Sequence, residues 1–321
     1  MTHPATAKEL GSRVQDGDRL ALARLLSLLE KGDRAAVETA FALPTAAELH
    51  IIGITGAPGA GKSTLIDALA AGLRAAEIWV GVLAVDPSSP YSGGALLGDR
   101  LRMTRHVGDA GVFIRSLANR GHLGGLSAAL PSMLRAVGAC GFTTLLVETV
   151  GVGQAEVEIA RHADTTVVLA TPGMGDAVQS SKAGVLEIAD VLVVNKSDRD
   201  GARETARDLR DMLRLRPTPV GGWRVPIVAT RADTGEGVAE LVDALRKHRD
   251  HLEHSGLLSR ARAARSTAAV RAYATVRLTQ QLEDRLRSPF GVALLDQVAE
   301  GTRSPAAAAE ELLARPEDAA G

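Results

Sequence analysis

The chain has 321 residues, with 37 Lys and Arg set against 38 Asp and Glu for a formal net charge of −1. That balance excludes a phosphate-backbone binder, which carries a basic excess, and 45% hydrophobic with 23% charged residues marks a globular chain able to bury a core. One cysteine, Cys140, excludes an internal disulfide framework. No apolar run approaches the roughly 18 residues that span a bilayer, and Met1–Gly17 is polar, so the expected compartment is the cytoplasm, with no membrane partner. The basic residues are lopsided: there are 31 Arg and only six Lys, namely Lys8, Lys31, Lys62, Lys182, Lys196 and Lys247.

Residues 6–43 read as helical, with Leu10, Val14, Leu20, Leu22, Leu25, Leu26 and Leu29 near helical spacing. Asp16, Gly17 and Asp18 break the run, and Asp18 is placed to cap the second helix. From His50 short apolar runs alternate with helical stretches. Strands are expected at 50–55, 79–85, 111–115, 143–148, 165–170, 190–194 and 225–229. Continuous apolar runs mark strands buried on both faces, hence an α/β fold: a mostly parallel sheet with helices on each side. Past about residue 250 the strands stop. Residues 255–287 are Arg- and Ala-rich and helical, Ser288 and Pro289 break the run, and shorter helices follow near 290–300 and 304–314. The expected division is an N-terminal helical extension, 1–45, a central α/β domain, 46–250, and a C-terminal helical arm, 251–321.

Gly56, Ala57, Pro58, Gly59, Ala60, Gly61, Lys62 and Ser63 match G-x-x-x-x-G-K-[ST], with Thr64 next, between a strand and a helix. Glycines let backbone N–H groups converge on phosphate oxygens, and the helix N-terminus adds positive potential. Lys62 is expected on the β and γ phosphates and Ser63 on Mg²⁺. Asn195, Lys196, Ser197 and Asp198 form N-K-x-D after another strand. A carboxylate at Asp198 accepts from both N1–H and the 2-amino group of guanine, a donor pair that adenine lacks. A buried acceptor left unpaired costs about 1–3 kcal/mol, so the pattern selects the purine and points to GTP or GDP. Lys196 would lie along the base, and Asn195 would tie loops together. Ala229, Thr230 and Arg231 follow the last strand, in position to close on the guanine O6.

Glu148 ends the strand 143–148 and opens Glu148-Thr149-Val150-Gly151, where GTPases usually carry D-x-x-G: the acid touches Mg²⁺ and the glycine N–H senses the γ-phosphate. Asp86 ends another strand, and the polar stretch 86–103 carries Asp99. Mg²⁺ takes a few carboxylates plus phosphates and waters. Ser63, Asp86, Asp99 and Glu148 are therefore the candidate metal-site members; for Asp86 and Asp99 a turn cap or a solvated acid is the competing reading. Cys140, at an apolar helix end, reads as core. His248, His251 and His254 share a helical face without acids at ligand spacing, which argues against a metal there.

The strings GITGAPGAGKST, VDPSSPYSGGALLGDRLRM, RGHLGGLS, LLVETVGVGQAEVEIA, PGMGDAVQSSKAGVLEIADVLVVNKSD and LRSPFGVALLDQVAEGTRSPAAAAEELL resemble the MeaB/ArgK family, the G-protein chaperones of adenosylcobalamin-dependent acyl-CoA mutases. The similarity runs from about residue 8 to 315. It implies a P-loop GTPase core, a homodimer held by the C-terminal arm, an acyl-CoA mutase as partner, and three mobile segments at 86–103, 148–158 and 173–184. The family's partner-responsive lysine corresponds to Lys182, for which a solvated helix residue is the bland alternative. Gln154 either orients water or bonds the backbone. Two features depart from the family: Lys182 is followed by Ala183 instead of a second lysine, and the guanine-closing loop reads Ala229-Thr230 in place of Ser-Ala. The expectation is a slow Mg²⁺-dependent GTPase that gates cofactor loading and protects a mutase, methylmalonyl-CoA mutase first among the candidates. The alternative is a P-loop kinase acting on a small molecule or protein, against which Asn195 and Asp198 speak.

Overall fold

The structure is a computed structural model, and it describes residues 5–44, 48–87, 103–119, 125–148, 159–173, 187–215 and 222–314. Two compact units emerge, Met1–Arg265 and Ser266–Gly321.

The first unit opens with three helices, α1 (Ala7–Gln15), α2 (Arg19–Glu30) and α3 (Arg34–Ala42), each started by a side chain that accepts from the orphan N–H groups of the first turn. Thr6 and Glu9 form a reciprocal capping box, Asp18 accepts from Leu20 and Ala21, and Asp33 accepts from Ala36. The break at Asp33 is a difference from the single interruption expected over 6–43. Its signal is Gly32-Asp33, which repeats Gly17-Asp18: a left-handed glycine (φ +74 at Gly32) followed by an aspartate cap. Leu22, Leu25, Leu26 and Leu29 of α2 are wholly buried. Each such burial contributes about 1.5–3 kcal/mol.

Seven strands follow: β1 (His50–Gly56), β2 (Val80–Pro87), β3 (Val112–Asn119), β4 (Thr144–Glu148), β5 (Thr165–Ala170), β6 (Val191–Asn195) and β7 (Ile227–Thr230). They pair in parallel in the order β3-β2-β4-β1-β5-β6-β7. The seven expected strands are all present, most shifted by only a residue or two at the ends. Among the described residues, α4 (Lys62–Ala75), α5 (Gly125–Ala139) and α6 (Ala202–Leu215) lie between strands, and α7 (Val238–His254) follows β7. Side chains alternate across the sheet. Ile52, Ile54, Val167, Val191 and Val193 pack with Leu65 and Leu69 of α4 and Leu241 of α7 on one face. Val168, Leu192 and Val194 pack with Leu209 of α6 on the other. Burial on both faces explains why these strands read as unbroken apolar runs.

A last long helix, α8 (Leu257–Arg287), begins in the first unit. In the second, Ser288 caps α9 (Pro289–Ala299) with Pro289 in its first turn, and α10 (Pro305–Ala314) follows. Leu294, Ala308 and Leu312 form its small core with Leu282, Leu286 and Phe290. Among the described residues no helix is long and apolar enough to cross a membrane.

Candidate functional site

In a parallel sheet of this kind the carboxyl ends of the strands form the ligand face. Gly56 ends β1, Glu148 ends β4, Asn195 ends β6 and Thr230 ends β7, so the register places the two expected motifs on one edge. Glu148 lies opposite Ile54 of β1, and Asn195 opposite Thr230.

The loop 57–61 carries the chain from β1 into α4. Gly61 is the N-cap of α4 at φ +90, and a Cβ there would lie 2.5 Å from Asn195 Nδ2. Both facts require glycine: the first is a left-handed conformation, the second a close approach between the two motifs. Lys62 is buried, and its Nζ donates to Gly56 O at 2.8 Å and Ala57 O at 3.3 Å, so the ammonium lies across the loop it belongs to. Ala60 is buried, whereas Pro58, Gly59 and Thr64 are exposed. Ser63 Oγ donates to Glu148 Oε1 at 2.9 Å. Glu148 is buried at the end of β4, so a hydroxyl and a carboxylate meet at a helix N-terminus. This donor set, hard oxygens only, suits Mg²⁺.

Asn195 binds three segments together. Its Nδ2 donates to Ala60 O at 2.9 Å, and its Oδ1 accepts from Thr230 Oγ1 at 3.1 Å and Ala232 N–H at 3.2 Å. The phosphate loop, the N-K-x-D loop and the loop after β7 are thus locked by one buried amide, all of whose bonds are protected from water. Lys196 adopts φ +57 and its Nζ donates to Gly59 O at 2.8 Å, bridging the same two loops on their exposed side. Ser197 N–H donates to Thr230 O at 3.0 Å. Asp198 is exposed, with Arg231 Nε 3.9 Å from its Oδ1. Ala229 lies in β7, beside the Asn195 loop.

The structure therefore brings together Gly56–Ser63, Glu148, Asn195, Lys196, Asp198 and the segment 229–231, in which Ala229 and Thr230 are the last residues of β7, laddered to β6, and only Arg231 lies beyond the strand as expected. The backbone of Asp86 lies near the end of β2, opposite Ala118 of β3; its side chain lies outside the described residues, as do Asp99, Gly151, Gln154 and Lys182.

Sequence reasoning passed over Asp67, on α4 five residues beyond Lys62. It is buried: its Oδ2 pairs with Arg105 Nη2 at 2.6 Å, and the His106 ring bonds its main-chain carbonyl through Nε2 at 3.1 Å, pinning the turn Thr104–His106 to the phosphate-loop helix. The available signal was an acid at a core position of an otherwise apolar helix. Also unforeseen is a buried network at the opposite edge of the sheet. The Thr165 hydroxyl bonds His50 Nε2 and His248 Nδ1, each at 2.8 Å. Burial is the main cause that pushes the His50 imidazole down to about 3 and His248 down to about 4, so both rings are neutral. Asp164, just before β5, accepts from Ile51 N–H at 3.0 Å and pairs with Arg262 and Arg265 of α8. Burial opposes its ionisation, but the two guanidinia and the N–H outweigh that and hold the carboxyl below the usual range. Cys140 is buried, as expected, and burial pushes its thiol up to about 11.

Comparison with known proteins places this geometry. A family model described as methylmalonyl-CoA mutase-associated GTPase MeaB matches residues 22–286. A protein of Pyrococcus abyssi that carries the name GTPase is 43% identical over 308 residues, 95% of each chain. The GTPase ArgK of Escherichia coli is 34% identical over 279 residues, 84% of each chain. A fused isobutyryl-CoA mutase of Cupriavidus metallidurans is 41% identical over 198 residues, which are 60% of this chain and 18% of that one. A crystal structure described as an LAO/AO transport system kinase superposes with a TM-score of 0.69, at 28% identity over 98% of both chains. The resemblance carried by the sequence motifs holds across most of the chain: it belongs to the methylmalonyl-CoA mutase-associated GTPase family MeaB, and it is a guanine-nucleotide-binding P-loop GTPase.

Proposed function

We propose that this GTPase serves an adenosylcobalamin-dependent acyl-CoA mutase, gating cofactor loading and protecting the mutase from inactivation. The observation that carries the reading is the match to a stretch within a fused isobutyryl-CoA mutase, where a domain like this one shares a chain with such an enzyme. The family's description as mutase-associated agrees.

In the mechanism we propose, the N–H groups of Gly56–Thr64, all but Pro58 having one, cradle the phosphates, and Lys62 exchanges its bonds to Gly56 and Ala57 carbonyls for the β and γ phosphates. Ser63 and Glu148, with Asp86 and Asp99, would hold Mg²⁺, which would supply charge neutralisation to the phosphates. Asp198 accepts from the guanine, Lys196 lines the base, and the loop Ala229–Arg231 closes on its edge. The Gly151 N–H reads the γ-phosphate, Gln154 aligns the attacking water and Lys182 answers the partner. An unaided small GTPase turns over at about 10⁻⁴ s⁻¹, and a cation supplied in place adds about 10³–10⁵-fold. The γ-phosphate must favour one arrangement of the switch segments, or it couples to nothing.

We further assign 1–45 as a helical extension, 46–250 as the GTPase domain and 251–321 as a homodimerisation arm. Val270, Leu278, Val292, Leu295 and Leu313, exposed on α8–α10, support the last. Steady-state GTP turnover with and without candidate mutases tests the reading. Acceleration by one of them is expected, and no acceleration by any acyl-CoA mutase overturns it. The kinase reading has in its favour the description of the structural relative; tighter binding of ATP than of GTP would favour it.

A further inference from the structure

Arg231 stands on a frame that its own loop holds rigid. Its neighbours Thr230 and Ala232 both donate to Asn195 Oδ1. Its N–H donates to Glu236 O at 2.9 Å, and its carbonyl accepts from the N–H groups of Thr234 and Gly235, at 3.2 and 3.0 Å, and from the Thr234 hydroxyl at 3.2 Å. Gly237 closes the loop at φ +77, where a Cβ would lie 2.0 Å from Ala229 O. The Arg231 backbone is thereby fixed relative to the N-K-x-D loop.

From that fixed point the guanidinium lies between two carboxylates. Nε is 3.2 Å from Asp233 Oδ1 and Nη2 is 3.5 Å from Asp233 Oδ2, while Nε is 3.9 Å from Asp198 Oδ1. The first pair is a fork held by two N–H groups. The second is too long for a hydrogen bond and acts through charge alone. The difference bears on base reading. A carboxylate that reads guanine needs both oxygens free to accept, from N1–H and from the 2-amino group. A cation bonded directly to Asp198 would occupy one of them. A cation held one step away by Asp233 attracts the carboxylate without occupying it.

We propose that Arg231, anchored by Asp233, is a positioning residue for guanine recognition that holds Asp198 toward the base while leaving both carboxylate oxygens open. The proposal rests on the reading of Asp198 as the guanine acceptor and deepens it.

The test is equilibrium binding of GDP, IDP and XDP to the full chain. IDP lacks the 2-amino group, and XDP carries a carbonyl in its place. Asp198→Asn keeps an acceptor for N1–H and offers a donor to that carbonyl, so it is expected to shift preference from GDP to XDP. Failure of that shift overturns the reading of Asp198 whatever Arg231 does. In the otherwise unaltered chain, Arg231→Gln is expected to weaken GDP about two- to fivefold, the range of a half-exposed ion pair, and IDP less. In the Asp198→Asn chain the same substitution is expected to leave XDP within about twofold, because the charge it acted on is gone. An undiminished loss of XDP affinity there overturns the proposal and puts Arg231 on O6, which guanine and xanthine share. Equal loss of GDP and IDP in the first experiment also overturns it, since a disturbed loop does not distinguish them. Arg231→Lys, which keeps the charge, is the second variant should Gln unsettle the loop, and it is expected to retain part of the GDP-over-IDP preference.

Discussion

The Ser63 hydroxyl donates to Glu148 Oε1 across 2.9 Å, joining the first turn of α4 to the carboxyl end of β4. The bond pre-sets two oxygens at a helix N-terminus, and only one of them needs its charge. Glu148→Gln keeps an acceptor for the hydroxyl and removes the charge. GTP turnover is expected to fall about 100-fold, with the Mg²⁺ requirement rising and the fold intact. Titration of steady-state GTPase activity with Mg²⁺ checks this. Unchanged turnover at saturating Mg²⁺ would remove Glu148 from the metal site.

Asn195 yields a prediction that separates framework from contact. Asn195→Ala strands Ala60 O, the Thr230 hydroxyl and Ala232 N–H in a buried space, at about 1–3 kcal/mol for each group left without a partner. Both the unfolding midpoint and GDP affinity are expected to drop, the affinity by more than tenfold. Thr230→Val removes one of the three bonds and is expected to show a fraction of both effects. A GDP affinity that holds while stability falls would show that the lock serves folding alone.

How much of this was legible in the sequence depends on the range of the interaction. The phosphate loop and N-K-x-D are short strings whose chemistry is set by local geometry, and the unbroken apolar runs announced strands covered on both faces. The Asp18 cap was legible too, whereas the second, Asp33, was missed although it repeats the same Gly-Asp pair. Asp67 with Arg105 and His106, or His50 with Thr165 and His248, join residues far apart in sequence, up to 115 positions for His50 and Thr165. No spacing rule encodes such pairs. Burial of a polar residue becomes visible only when the strands and helices around it are in place.

Asp164 predicts the cost of removing one such long-range partner. Its side chain is wholly buried between Arg262 and Arg265, which are 29% and 17% exposed. Asp164→Ala leaves two partly buried guanidinia facing each other and an uncapped Ile51 N–H, and a broken buried pair costs about 3–5 kcal/mol. Urea unfolding is expected to report a loss of that order, with Asp164→Asn in between because an amide still accepts from Ile51. A loss below about 1 kcal/mol would mean that the arginines find other partners.

His50 and His248 predict the pH dependence of the same folding equilibrium. Both are neutral in the folded protein, at about 3 and about 4, whereas an unfolded histidine titrates near 6.5. Between those values the unfolded chain binds more protons than the folded one, so stability rises with pH. The contribution is fully present above about 6.5 and is lost as pH falls, on the order of 2 kcal/mol for each histidine by pH 5. The carboxylate of Asp164 works in a separate window: its folded value lies below the usual range, so its contribution disappears only below about pH 4. Urea midpoints measured without nucleotide from pH 8 to pH 5 are therefore expected to fall in the histidine window. Replacing both rings, His50→Gln with His248→Gln, should lower stability at pH 7.5 and flatten that slope, because glutamine bonds Thr165 at every pH. A wild-type midpoint that stays level from pH 8 to 5 would show that the rings take up protons without leaving the folded state, as they would if water reached Thr165.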